Sequence, residues 1–433
     1  MAIAWRPLAV ACGGAFVAAI STSVVGVSIP VIAKSFEATT SQASWVLSGY
    51  LLAASIFLAF AGRAADLLGR KRIYLTGFLV FVSASLMCAA AANIKMLVGA
   101  RIFQGAGAAC LMAVGPAIVT RSVPAEQRAR GLGIQIGVTY VGLTIGPSVG
   151  GLIAGALGWN AIFIVTAIVA GAGGLAALIV LDPDEARDEK HTISSFDVSG
   201  AGFLAFALGT LIASMRGADA ERPFALLAAL FGMSVVSFYV FWRHEAAHPN
   251  PLLPPSLMKT RPFALGIVGG VILYTITFIL SFLLPFHLQQ VFEYTPRQAG
   301  IIMTAQPATM AVVAPLAGIF ADRFGPRVPA TLGMLALGGG LLLVSSAPAS
   351  MISLAVVGFG AGLYTTPNNA MIMGAAPKDR QATAGAFAAT ARNVGMTFGV
   401  ALAAVLDRSF GFATSLRIAA GLAAVGAVLA LFR

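Results

Sequence analysis

The chain has 433 residues, of which 58% are hydrophobic and 10% charged, with a formal net charge of +11. Soluble chains carry roughly 25% charged residues and single aqueous cores stop growing at about 250–300 residues, so this composition excludes a water-soluble globular protein. Lipid is the solvent, where only helices and closed barrels satisfy their own backbone, and long unbroken apolar runs rather than alternating ones exclude the barrel.

Hydrocarbon about 30 Å thick takes about 20 apolar residues per helix. The runs predict 14 spans, at about residues 8–32, 43–65, 73–92, 96–119, 131–157, 160–181, 199–215, 223–242, 263–289, 298–321, 328–347, 349–374, 382–406 and 412–432. The first 30 residues read as a span rather than a cleaved leader, because the run is long and lacks a cleavage site. Spans 1–6 form an N-terminal half (residues 1–181), and spans 9–14 a C-terminal half (263–433). Between them, residues 182–262 hold a polar linker (182–198), an inserted helix pair and a proline-rich stretch expected to be stiff and extended. The expected fold is therefore an all-α integral membrane protein of two pseudo-symmetric six-helix bundles plus an inserted pair, about 14 transmembrane helices.

The basic excess follows one side of the membrane. On these spans the loops on the N-terminal side hold 18 Lys/Arg and the opposite loops six. The positive-inside rule then places both termini and the linker in the cytoplasm, and no nucleic-acid partner is needed to explain the charge. Cys12, Cys88 and Cys110 have no paired spacing, so neither a disulfide frame nor a metal site is expected.

A charged motif occurs twice. Residues 62–72 read G-R-A-A-D-L-L-G-R-K-R and residues 318–328 read G-I-F-A-D-R-F-G-P-R-V, sharing G-x-x-A-D-x-x-G-x-R at a separation of 256 residues. Charged loops at matched places between apolar runs mark a duplicated transporter. Each aspartate sits at a helix end before a tight turn and basic residues, so Gly62, Asp66, Gly69, Arg70 and Arg72 with Gly318, Asp322, Gly325 and Arg327 are candidates for a cytoplasmic gate. The bland alternative is that the basic residues only set topology.

Helix breakers cluster in the fifth span, at Gly142, Gly146, Pro147, Gly150 and Gly151. Such spacing serves close helix packing or lets a helix bend around a central site. All 16 acidic residues fall in loops or at helix ends, so the embedded charges are positive: Arg101, Arg392 and Arg417. Arg101, Gln104, Gly105 and Ala108 share a helical face, which suits either a cavity wall or an arginine bonded to backbone carbonyls. Ser21, Gln135, Thr139, Gln306, Asn368 and Asn369 are the other polar candidates for substrate or coupling. His287, near the outer end of the ninth span, is a titrating group or an interfacial residue.

Taken together these motifs resemble the major facilitator superfamily, and within it the fourteen-helix drug:proton antiporter branch. Residues 62–72 resemble its loop between helices 2 and 3. L-V-G-A-R-I-F-Q-G-A-G-A-A (97–109) resembles its helix 4 motif, and G-L-T-I-G-P-S-V-G-G-L (142–152) its helix 5 antiporter motif. Trp45, Val46 and Tyr50, the stretch 284–300 and Gly385 to Gly399 extend the likeness along nearly the whole chain. The resemblance implies a proton-linked exporter that rocks between two openings, with Arg101 in substrate or proton handling and the Asp66 loop bridging the halves. Two positions depart from the branch: Ser21 stands where a helix 1 aspartate is usual, and Asn160 follows Trp159 where arginine is usual.

The function expected is secondary active transport, by proton-linked efflux of small amphiphilic drugs or metabolites, or by exchange or facilitation of organic anions or neutral metabolites. The cavity is expected between the halves, lined by spans 1, 2, 4, 5, 9, 10, 12 and 13. A membrane-embedded enzyme needs clustered nucleophiles, acids or histidines, and none is evident; a sensor is the remaining rival. No phosphate-binding G-x-x-x-x-G-K-[ST] loop is present, and no cofactor or metal is implied. Partners are a small-molecule substrate, membrane lipid and, by resemblance, protons, with a monomer in the plasma (inner) membrane. The topology predicts that Thr192→Cys labels with an impermeant thiol reagent only after cells are opened, whereas Ala218→Cys labels in intact cells.

Overall fold

The computed structural model describes residues 4–124, 127–183, 197–216, 224–248, 251, 255–346, 350–377 and 381–432. Of residues 59, 63, 66, 128–130, 198, 201, 212, 215, 216, 224, 381–383 and 386 it describes the backbone alone. Thr192, His191 and Ala218 lie outside the described residues, as does most of the linker.

The protein is an all-helical membrane protein. Its helices are α1 (Trp5–Gly26), α2 (Ile29–Ser35), α3 (Thr40–Leu68), α4 (Arg70–Ala89), α5 (Ile94–Ser122), α6 (Arg128–Leu157), α7 (Trp159–Val180), α8 (Val198–Arg216) and α9 (Phe224–Ala247). There follow α10 (Pro255–Met258), α11 (Arg261–Phe286) continued by a π turn (His287–Val291), α12 (Pro296–Phe324), α13 (Arg327–Ser346), α14 (Met351–Ala375) and α15 (Gln381–Leu431). By length and composition, 11 stretches among the described residues can cross a membrane, the last being 45 residues long. About 20 residues suffice for one crossing, and α15 breaks at Gly411 (φ 74°), so it holds two. Two expected spans are not among these stretches. In α8 the side chains are described continuously only over Gly202–Leu211, an apolar stretch, and α14 is diluted by Thr365, Thr366, Pro367, Asn368 and Asn369.

Three boundaries depart from expectation. The first span divides, because Ser28 N–H turns back to the Val25 carbonyl at 3.0 Å and Pro30 opens a new helix. The proline-rich connection is not wholly extended: Pro255–Met258 form one helical turn. Val198, taken as the end of the linker, already begins α8.

The internal repeat is visible in the backbone. Gly69 and Gly325, 256 residues apart, both take positive φ (103° and 77°) where one helix ends and the next begins. Gly158 and Gly411 do the same, 253 apart, at 85° and 74°. Even the two non-glycine residues with positive φ among the described residues, Glu37 and Glu293, are 256 apart. The capping boxes of Thr39 with Gln42 and Thr295 with Gln298 start α3 and α12 alike. Packing repeats too: α1 on α6, α3 on α5, α4 on α5 and α4 on α7 are matched by α11 on α15, α12 on α14, α13 on α14 and α13 on α15. α8 and α9 pair with each other.

The two sets meet along α6 with α12 and along α3 with α15. The α6–α12 seam is tight because glycine faces backbone. A Cβ on Gly151 would lie 2.2 Å from the Pro296 carbonyl oxygen, and one on Gly300 would lie 2.2 Å from that of Pro147. Beside them Ser148 and Thr304 hydroxyls bond at 2.6 Å. Gln289 Nε2 donates to the Val27 carbonyl at 2.8 Å. This end of the molecule is shut. Gly142, Gly146 and Gly150 face α1, at Phe16, Ser23 and Val24 respectively, and α6 runs unbroken through Pro147. Overpacking costs about 1–3 kcal/mol. In a chain whose own cysteines are serines, Gly300→Val should therefore part the seam, raising thiol-reagent access to Ser148→Cys by roughly five-fold to a hundredfold.

Candidate functional site

Arg101 is fully buried, 0% exposed, inside the N-terminal set of helices. α5 presents it to α1 and α3. Its Nε donates to the Val46 carbonyl at 2.8 Å, and Nη1 to Ser21 Oγ at 3.1 Å and to Gln104 Oε1. Gln104 Nε2 passes the chain on to Ser85 Oγ at 2.7 Å, and Ser85 to the Phe81 carbonyl. The guanidinium lies 4.2 Å over the Tyr50 ring, a cation–π contact strengthened by exclusion of water. Nη2 has no hydrogen-bond partner among the described residues. Among the described residues no carboxylate pairs with this charge; carbonyl, hydroxyl and amide dipoles with one aromatic face hold it.

The central cavity, about 1760 Å³, lies between the two sets. Its walls come from α1, α3, α5 and α6 on one side and α11, α12, α14 and the first part of α15 on the other. At the shut end it stops near Gly26, Pro147, Leu284 and Met303; at the other it reaches Gly62, Arg70 and Lys259. Gln135, Thr139, Gln306, Asn369 and Arg392 line it, as the sequence suggests.

The remaining candidates sit elsewhere. Ser21, Arg101 and Gln104 form the layer behind the wall, with Tyr50 as the residue that both lines the cavity and covers the arginine. Asn368 is buried, donating from Nδ2 to the Gly266 carbonyl at 3.1 Å. His287 is stacked on Phe412 at 3.8 Å in the π turn, away from the cavity. Arg417 is exposed on the outside of the bundle. Sequence reasoning missed Tyr140, Tyr274, Thr390 and Asn393, which line the cavity. Tyr140 and Tyr274 meet across it from opposite sets, close to Arg392. Tyrosines inside apolar runs give no charge signal, and only the tertiary arrangement singles them out.

The paired motif loops lie at the open end. Gly62 and Arg70 face the cavity, and Lys71 Nζ donates to the carbonyls of Leu178, at 2.9 Å, and Leu181. Asp322 and Arg327 are exposed.

At the same mouth the structure brings together a group that the sequence, read as free of a metal or nucleophile constellation, did not single out. Asp197, His244 and His248 present ligand atoms all within 4.8 Å of one another. Asp197 caps α8, its Oδ1 accepting from the Gly200 N–H at 2.7 Å, and it meets His244 Nε2 at 2.6 Å. Burial alone raises the Asp197 carboxyl, but the Gly200 N–H, the His244 ring and the Glu245 side chain outweigh it and hold the carboxyl below its usual range. The sequence does carry a cue, H-E-A-A-H at 244–248, but its third member is 47 residues away. Asp197, Glu245 and His248 all border the cavity, and these two are the only carboxylates among its described lining residues.

The sequence model for the Major Facilitator Superfamily matches residues 11–294 and again 266–433. The riboflavin transporter RibZ of Clostridioides difficile (strain 630) is 31% identical over 405 residues, covering 92% of this chain and 87% of that protein. The multidrug resistance protein Stp of Mycobacterium tuberculosis (strain CDC 1551 / Oshkosh) is 30% identical over 90% of this chain and 73% of its own. The tetracenomycin C resistance and export protein of Streptomyces glaucescens is 28% identical over 94% of this chain and 76% of its own.

Hydrogen bonds to charged groups contribute about 1.5–3 kcal/mol each. Arg101→Lys keeps the charge but loses the planar fork that reaches Val46, Ser21 and Gln104 together. It should cost roughly 2–4 kcal/mol, read as a lower unfolding midpoint in detergent, and Arg101→Ala should abolish transport.

Proposed function

Because the chain belongs to the Major Facilitator Superfamily, and is a secondary active transporter of small molecules rather than an enzyme, we propose that it exports small neutral or anionic amphiphiles by rocking two six-helix halves about the central cavity. The observation that carries this reading is the charge pattern of that cavity. Among its described lining residues the only charge away from the mouth is Arg392, set among the hydroxyls and amides of Tyr140, Tyr274, Asn393 and Gln306. A lipophilic cation meets no counter-charge there. Relatives named for multidrug resistance and for tetracenomycin C export support efflux, and one named a riboflavin transporter supports an aromatic metabolite as cargo.

In this reading residues 1–181 and 263–433 are the moving halves, and residues 182–262 tether them with α8 and α9. The protein works as a monomer in the inner (plasma) membrane, with both termini cytoplasmic. The cavity then opens to the cytoplasm, and the α6–α12 seam closes the outer end, so the conformation is the one that loads cargo. Rocking closes the Gly62–Arg72 and Gly318–Arg327 loops toward one another, where Asp66 holds the opposite half shut. The Gly142–Gly151 stretch lets α6 roll on α1 and α12.

Two modes of coupling fit a cavity without a mid-membrane carboxylate. Proton-linked efflux uses a group at a helix end, such as Asp66, Asp407 or His287. Exchange of organic anions uses Arg392 itself, with each anion replacing the last. Accumulation in proteoliposomes with an imposed pH gradient, and after its collapse, separates the two. Transport confined to lipophilic cations overturns the charge assignment.

Arg392→Gln should raise the apparent KM for anionic substrates about tenfold, the equivalent of about 1.4 kcal/mol, and leave neutral ones unchanged. Asp66→Asn should slow turnover while the protein inserts and accumulates normally.

A further inference from the structure

The mouth of the cavity holds a constellation that transport of an organic substrate does not require. His244 and His248 are one helical turn apart at the end of α9, the i, i+4 spacing that puts two imidazoles on one face. His248 N–H still bonds back to the His244 carbonyl at 2.9 Å, so the turn persists to that residue. Their rings lie 5.4 Å apart and tilted by 35°. Asp197, at the start of α8, completes the group at 2.6 Å from His244.

A capping aspartate with a histidine neighbour is an ordinary arrangement, and Oδ1 needs nothing more. Oδ2 does. Asp197 is 2% exposed, and its second oxygen is buried without a hydrogen-bond partner among the described residues. It does not sit in apolar surroundings alone: a Cβ on Gly200 would lie 2.4 Å from this oxygen and 2.5 Å from Glu245 Oε1. Two carboxylates of adjacent helices thus converge over a residue that has no side chain to part them. A carboxylate oxygen without a partner among the described residues and two imidazoles in one place are what a divalent cation satisfies.

We propose that Asp197, His244 and His248 bind a divalent transition metal of the zinc class at the cavity mouth. The donor set selects the ion: imidazole nitrogen with carboxylate oxygen suits zinc and its neighbours, whereas magnesium and calcium prefer all-oxygen sites. Two imidazoles and one carboxylate leave the fourth tetrahedral position to water. In the metal-free form the 2.6 Å contact between His244 and Asp197 is a hydrogen bond; the ion takes the place of its proton. The ion bridges the first residue before α8 to the last turn of α9. It therefore clamps the inserted helix pair at the entrance and resists any rocking that moves the two apart.

The test uses untagged full-length protein in detergent or nanodiscs. Zinc should bind at one equivalent by calorimetry and raise the unfolding midpoint. Cobalt should give the visible absorption of a tetrahedral site, and magnesium should do neither. His248→Gln, which leaves the Asp197 cap of α8 intact, and Asp197→Asn should each weaken zinc binding tenfold or more. Zinc should slow transport by the native chain but not by His248→Gln. Absence of saturable zinc binding by the folded native chain overturns the proposal. So does unchanged affinity in the double variant His244→Gln/His248→Gln, or equal binding of magnesium.

Discussion

Hydrocarbon offers no hydrogen bonds and no hydrophobic reward for bringing one apolar helix to another. Helices in this solvent associate through close packing and through the few polar groups they share. The glycine-to-carbonyl contacts along α6 and α12 meet that constraint, as does the Arg101 cluster. Where such contacts line up, helices stay together; where they do not, the eight central helices diverge and enclose a cavity of about 1760 Å³. Its position follows from where small residues fall in the sequence.

Much of this architecture was legible. Apolar run lengths gave the helices, and the duplicated G-x-x-A-D-x-x-G-x-R gave the two sets, because a duplicated chain must repeat its turns. Gly69 and Gly325 carry the matching backbone geometry. The break between α1 and α2 was hidden because Val27, Ser28 and Pro30 sit in an unbroken apolar stretch, where hydropathy registers solvent preference and not backbone direction. The site was only partly legible. Arg101 stands out in any sequence of this kind, yet helical periodicity shows which residues share its face and not what that face meets. Its partners are the Val46 carbonyl and the Tyr50 ring, and backbone acceptors leave no mark in a sequence. The Asp197 group was missed for a related reason: its two parts lie on separate helices whose pairing is a tertiary fact.

The charges form two layers with different tasks. Arg101 is held in a network that ends on backbone, so it braces α1, α3 and α5 around Tyr50, a residue of the cavity wall. Arg392 borders the open cavity. A single chain thus carries the same side chain once buried among bonded dipoles and once at the edge of the cavity.

The α6–α12 seam has a thermodynamic consequence of its own. Side chains that interlock lose rotamer freedom on contact and regain it on separation, so a seam built from them carries a large entropy change. Glycine has no side-chain entropy to lose, and at Gly151 and Gly300 its partners are carbonyl groups already fixed in helices. Opening and closing this seam therefore changes conformational entropy very little. The balance between the two openings is left to respond to occupancy of the cavity, and its temperature dependence reports on cargo and lipid rather than on the seam.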